Sequence, residues 1–247
     1  MLNGITGQDF PTSNSAIGCT FQSTSYPPVK FSDGNYYEFI DTVGLNEGTK
    51  GTVVAQDAMK KLFRLILKNS QGFSLFIMVI KASRLDAGLE KNYKLFVKEL
   101  VEGKVPVILI ITQCEFGPSG EVILDLDQWL TENKTSILSY GFHFNDIVST
   151  SWAKSPIPAF ENEYLKLRKA SQEKAIRSIM SNSLNKNISF ALERILETLR
   201  RVWNFVATIY HFPKYVGSLG EILMSMGFSR TEAAELESSI RSFNTNL

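Results

Sequence analysis

The sequence predicts an α/β fold: a doubly wound, largely parallel sheet over about the first 155 residues, followed by a helical C-terminal extension. Three observations predict it. The runs Phe76-Ile77-Met78-Val79-Ile80 and Val107-Ile108-Leu109-Ile110-Ile111 are strand-sized and apolar at every position, as strands buried on both faces are. Stretches of helical spacing alternate with such runs. After Ser155-Pro156-Ile157-Pro158 the strand-like runs stop and helical spacing continues.

Along the chain, a strand is expected at 18–25, where Thr20 opens an alternating segment, and another at 35–41, where Tyr37-Glu38-Phe39-Ile40 has a period of two. Val54, Ala58, Leu62, Leu65 and Ile66 then recur at helical spacing and predict a helix over 52–69. Strands follow at 72–81, 105–112 and 145–150, separated by helices at 88–103 and 122–140, with Pro27-Pro28 and Phe116-Gly117-Pro118 marking loops. Helices are read through much of 158–245. The expected division is a sheet domain at 1–155 and a helical extension at 156–247.

Composition narrows the function. At 247 residues and 44% hydrophobic, the chain can bury one substantial core and an appendage. A net charge of +1 gives no electrostatic case for nucleic acid. Cys19 and Cys114 are too few and too far apart for a disulfide framework or a zinc site, and His143 and His211 lack ligand spacing. The start is polar and no apolar run is long enough to span a bilayer, so a cytoplasmic setting is expected.

Asp41-Thr42-Val43-Gly44 follows the second expected strand. A carboxylate and a glycine at the carboxyl end of a buried strand suit a nucleotide site: the carboxylate can hold Mg²⁺, and the glycine lets a backbone N–H approach a phosphate. An Asp-led turn after a strand is the plain alternative. Upstream, Ala16-Ile17-Gly18-Cys19-Thr20-Phe21 places Thr20 ahead of that strand, either as a second phosphate-side group or as an ordinary strand-edge threonine. No Gly-x-x-x-x-Gly-Lys-Ser/Thr phosphate loop occurs in these residues; Gly103-Lys104 is followed by Val105.

The segments Ser15-Ala16-Ile17-Gly18-Cys19-Thr20 and Tyr36-Tyr37-Glu38-Phe39-Ile40-Asp41-Thr42-Val43-Gly44, over about residues 1–155, resemble the immune-associated nucleotide-binding (AIG-type) GTPases, P-loop NTPases related to septins. The resemblance implies that Thr20 and Asp41 hold Mg²⁺ and that Gly44 senses the terminal phosphate. It implies that Thr112-Gln113-Cys114-Glu115 stands where a base-reading Asn/Thr-Lys-x-Asp motif is expected. There Thr112 and Glu115 would contribute to nucleotide binding, Glu115 pairing with the two guanine donors. Here Glu replaces Asp and Gln113 replaces the lysine, and a plain loop is the alternative. Ser149-Thr150-Ser151-Trp152-Ala153-Lys154 would support the base. Leu45, next to Gly44, implies slow intrinsic hydrolysis, and without a phosphate-loop lysine no catalysis by this chain alone is expected. Met1-Leu2-Asn3-Gly4-Ile5-Thr6-Gly7 resembles the last turn of the helix after the phosphate loop, so the fold is expected to lack its first, central strand, with Met1 an internal methionine of a longer ancestral chain.

The C-terminal third supplies candidate partner surfaces. Residues 161–210 carry nine Lys/Arg against five Glu. Within them Ile188, Leu192, Ile195, Leu196, Leu199, Val202, Trp203, Val206, Ile209 and Tyr210 form an apolar stripe opposite Glu193, Arg194, Glu197, Arg200, Arg201 and Asn204. Packing within the chain, a dimer seam over 188–210 and a membrane surface all fit such a stripe, and the mixed charge of the polar face disfavours the membrane. Met226-Gly227-Phe228 resembles the loop of ubiquitin-associated domains, which implies ubiquitin as a partner. The alternative is a helix-ending glycine followed by a Ser229 N-cap with Glu232 as a capping box. Two functions follow: a GTP- and GDP-binding protein with Mg²⁺, or a nucleotide-free pseudo-GTPase serving as a protein-interaction module.

Overall fold

The computed structural model describes residues 1–9, 24–41, 60, 64, 72–83, 87–100, 102–117, 121–188, 192–210 and 217–244. Helix α1 spans Leu2–Thr6 and ends at Gly7, whose φ of +68° turns the chain while its N–H donates to the Asn3 carbonyl at 2.9 Å. Four short strands follow: β1 (Thr24–Ser25), β2 (Val29–Lys30), β3 (Tyr36–Tyr37) and β4 (Ile40–Asp41). β1 pairs antiparallel with β4, and β2 with β3. The strands expected at 18–25 and 35–41 are thus corrected to two antiparallel ribbons, with residues 18–23 outside the described set. Tight turns enforce this. Asp33 accepts from the Asn35 N–H at 3.0 Å and Gly34 adopts φ +84°, and a reversal this short joins only antiparallel strands.

The main sheet is parallel and three-stranded, in the order β5 (Phe76–Lys81), β6 (Val107–Thr112), β7 (Asp146–Ser149). Phe76 sits opposite Val107, and Ile108 opposite Asp146. β5 starts later than expected, because Phe73 instead bridges Ile188 in antiparallel fashion, donating its N–H at 3.3 Å and accepting from the Ile188 N–H at 3.1 Å. β6 starts after Pro106, which has no N–H for a ladder.

Helices cover both faces. Helix α2 (Ala87–Tyr93) continues as a π-helical segment over Lys94–Leu100, and α3 spans Gln128–Ser139. Leu89, Tyr93, Val97, Leu126 and Ile137 bury Val107, Leu109 and Ile111 from that side. The helix expected from residue 122 begins six residues later. Val122 bridges Phe116, and the Asp125 carboxylate accepts from the Asp127 N–H at 3.0 Å, which holds the segment in a turn. On the opposite face α1 and the long helix α4 (Glu161–Asn182) bury Ile108 and Ile110 under Ile5, Ala175 and Ile179, joined by Phe31 and Phe39. Of the helix expected at 52–69 only Lys60 and Arg64 are described, and both are helical.

Three further helices, α5 (Leu192–Tyr210), α6 (Leu219–Ser225) and α7 (Arg230–Asn244), form a third core around Val202, Trp203, Val206 and Ala207. It includes Leu95 and Val105, so α5 packs on the π-helical segment of its own chain. The Arg201 guanidinium reinforces the contact, donating twice to the Glu99 carbonyl at 3.1 and 2.9 Å. Both α6 and α7 open on capping boxes. Ser218 and Glu221 form one; in the other the Ser229 N–H donates to Glu232 at 2.8 Å and the Glu232 N–H to the Ser229 hydroxyl at 3.2 Å. Gly227 (φ +86°) supplies the turn between them. Met226 and Phe228 are buried in this core, where Lys60 and Arg64 lie 5.7 and 5.6 Å from the Phe228 ring centroid and Arg64 pairs with Glu232 at 2.8 Å.

Candidate functional site

The candidate groups gather at the carboxyl ends of β6 and β7, the edge at which open α/β sheets bind ligands. β6 ends at Thr112, whose hydroxyl donates to the Ile80 carbonyl at 3.0 Å and ties β6 to β5. Gln113 is exposed and left-handed (φ +62°), a conformation uncommon outside glycine. That twist turns the chain inward: the Cys114 N–H donates to the Thr150 carbonyl at 3.2 Å, and Glu115 follows with no solvent exposure at all. Burial pushes the Cys114 thiol up to about 11, so it stays protonated and inert.

Both carboxylate oxygens of Glu115 are buried without a hydrogen-bond partner, and so is the Ser151 hydroxyl just past the adjacent strand end, while the Ser149 hydroxyl lies against the Cys114 thiol. Buried polar groups are almost always paired, because an unpaired one costs about 1–3 kcal/mol and an ionised one more. Glu115 and Ser151, on the loops after β6 and β7, are two such residues at the carboxyl edge of the sheet.

The loop after β7 is held firmly. Thr150 donates its N–H and its hydroxyl to the Ile111 carbonyl at 2.7 and 2.8 Å, and accepts from the Trp152 indole N–H at 2.9 Å. The Ser151 N–H donates to the Ser171 hydroxyl of α4 at 2.8 Å. Arg168 donates to the Ala153 carbonyl at 2.8 Å and pairs with Glu161 at 2.5 Å, while Glu161 accepts from the Ser155 N–H at 2.9 Å. The Arg168 guanidinium, with the Ser155 N–H, holds the Glu161 carboxyl below the usual range. Gly4 of α1 closes the arrangement: a Cβ there would lie 2.2 Å from the Trp152 ring, so only glycine admits this approach.

The other predicted residues lie elsewhere. Asp41 ends β4, opposite Thr24 in the β1–β4 ribbon, and is half-buried; it belongs to a different sheet from Thr112 and Glu115. Thr20 and Gly44 lie outside the described residues. Among the described residues no group of three or more His, Cys, Asp or Glu side chains is placed to hold a metal ion, so Asp41 contributes one carboxylate there and no metal step is derived from it. Ser171, Arg168 and Glu161 escaped the sequence reading; the seven-residue interval between Glu161 and Arg168 puts them on one helix face and was the available signal. No family model matches the chain, and no curated protein matches it. Among the described residues no helix is long and apolar enough to cross a membrane.

Proposed function

We propose that the chain is a nucleotide-binding domain of the immune-associated GTPase type, with a P-loop-NTPase-like sheet that lacks its first strand and with its base-reading end preserved. The observation that supports the reading is the buried, unpartnered carboxylate of Glu115 on the loop after β6, at the carboxyl edge of the parallel sheet where the Ser151 hydroxyl after β7 is also unpartnered. Two carboxylate oxygens match the paired N1–H and N2–H donors of guanine and no other common base edge so well. The placement of α1 and α4 on one sheet face and of α2 and α3 on the other supports the same architecture. Thr20 and Asp41 would hold Mg²⁺ together with the phosphates of the nucleotide, and Gly44 would meet the terminal phosphate. Because Glu115 is closed off from solvent, a base reaches it only after a local rearrangement.

The phosphates lack a cradle: no glycine-rich loop with its lysine is in the sequence, so β/γ-phosphate binding is weak and hydrolysis by the chain alone is negligible. The test is titration with a fluorescent GTP analogue and Mg²⁺, using the chain as it is and the chain preceded by a strand and a Gly-x-x-x-x-Gly-Lys-Ser loop. The reading expects weak or no binding by the first and clear binding by the second. Tight binding by the first, or none by the second, would remove it. The closure of Glu115 favours a second reading, a nucleotide-free pseudo-GTPase acting as a protein-interaction module; failure of the second titration would select it.

A further inference from the structure

We infer that the strap over residues 156–160, which leads into α4, is a docking surface for an anionic lipid bilayer, a role separate from the nucleotide reading. Pro156, Ile157, Pro158, Ala159 and Phe160 are consecutive, exposed and without a polar side chain. Ile157 and Phe160 are 52% and 56% exposed, and Leu165 near the start of α4 is 41% exposed. Single exposed apolar side chains are ordinary, whereas a continuous run of them on a polar surface marks a site of contact.

The backbone narrows the occupant. Pro156 and Pro158 have no N–H. The Ser155 hydroxyl accepts from the Ile157 N–H at 3.1 Å and donates to the Ile157 carbonyl at 2.6 Å, and that carbonyl also accepts from the Phe160 N–H at 3.0 Å. The strap therefore has no row of free N–H groups for a polypeptide strand, from this chain or another, and presents its side chains alone. Hydrocarbon takes apolar side chains and offers no hydrogen bonds in return. The base of the strap is pinned: the Ser155 N–H donates to Glu161 at 2.9 Å and Arg168 to the Ala153 carbonyl at 2.8 Å, which fixes the run in its exposed position.

Charge selects an anionic surface. Over residues 154–169 the cations are Lys154, Lys166, Arg168 and Lys169, and the carboxylates are Glu161 and Glu163. Both carboxylates are paired within the chain, Glu161 with Arg168 and Glu163 with Lys166. Lys154 and Lys169 are exposed and form no ion pair among the described residues, which leaves the rim of the apolar run positive. Lysines around an apolar tip hold anionic headgroups while the tip enters the boundary of the acyl chains.

The test is sedimentation of the full chain with vesicles of phosphatidylcholine alone and of phosphatidylcholine and phosphatidylserine in equal parts. The inference expects binding to the mixed vesicles to be at least about tenfold tighter than to the neutral ones, and to weaken about tenfold when salt is raised from about 0.1 M to about 1 M. The Ile157→Ser/Phe160→Ser and Lys154→Glu/Lys169→Glu double variants are each expected to lose at least about tenfold in affinity for the mixed vesicles, with Tm unchanged to within about 2 °C. No binding to either vesicle, or equal binding by the parent and both variants, would overturn it. A larger fall in Tm for Ile157→Ser/Phe160→Ser would show that the chain itself covers these side chains, and would overturn it too. Concentration-dependent dimerisation in light scattering that this variant abolishes, without vesicle binding by the parent, would overturn it in favour of a second copy.

Discussion

Replacing Glu115 with methionine is expected to stabilise the chain. Both side chains are unbranched and similar in volume, so the exchange leaves no cavity and forces no repacking. It removes two buried carboxylate oxygens that have no hydrogen-bond partner. An unsatisfied buried polar group costs about 1–3 kcal/mol, and more when charged. The expected gain is therefore about 2 kcal/mol, equivalent to a rise of about 4–8 °C in Tm for a chain of this size. Urea unfolding followed by circular dichroism reads it as a higher midpoint at unchanged slope. Glu115→Gln, which keeps the shape and the polar atoms, should gain less. A loss of about 1 kcal/mol or more with methionine would show that the carboxylate is a satisfied structural group, and the case for a ligand site at this point would fall.

Gly4→Ala should cost about 1–3 kcal/mol despite the better helix propensity of alanine, because the new methyl meets the Trp152 ring at 2.2 Å; a thermal melt showing stabilisation would separate α1 from Trp152. Val206→Asp should cost about 3 kcal/mol or more by burying an unpaired charge in the α5–α7 core, lowering Tm in calorimetry; an unchanged Tm with lost vesicle binding would put that face on lipid instead. Glu221 and Glu232 are each held below their ordinary value of 4.5, first by the backbone N–H and then by the hydroxyl of Ser218 and Ser229 respectively. Their folded-state pKa values are depressed, so their contribution is present above about pH 4.5 and is lost as pH falls through the folded values. Helicity followed through acid titration should show a loss that the Glu221→Gln/Glu232→Gln double variant flattens; an identical acid limb in the variant would contradict the capping role.

Sequence pattern carried the parallel strands because both are continuous apolar runs, β6 buried at each of its apolar positions and β5 only partly covered, a signal that survives without knowledge of neighbours. The capping box at Ser229 and Glu232 was equally plain, and the same Ser-x-x-Glu spacing at Ser218 and Glu221 carried a signal that went unread. The inward face of α5 was legible at Val202, Trp203 and Val206 from spacing alone. What the pattern missed is tertiary. The segment 35–41 alternates like one strand, but the turn at Asp33-Gly34-Asn35 and the Tyr26 N–H bonding to the Phe39 carbonyl at 2.9 Å divide it between two ribbons. Residues 122–127 carry apolar spacing, yet the Asp125 side chain competes for the backbone and the Val122 bridge takes the rest. At the site, Thr112, Glu115 and Ser149 to Ser151 could be placed on two strand ends, but nothing in one sequence foretells that a glutamate will be wholly buried without a partner.

The most direct test of the account is base preference. In the chain preceded by a strand and a Gly-x-x-x-x-Gly-Lys-Ser loop, fluorescent GTP and ATP analogues are titrated against the parent and Glu115→Ala. Unpairing the two guanine donors costs about 1–3 kcal/mol each, so GTP affinity should fall at least about tenfold while any ATP affinity stays the same. Equal losses for both nucleotides, or no loss, would reduce Thr112 to Glu115 to a buried loop and contradict the assignment of this site to a guanine base.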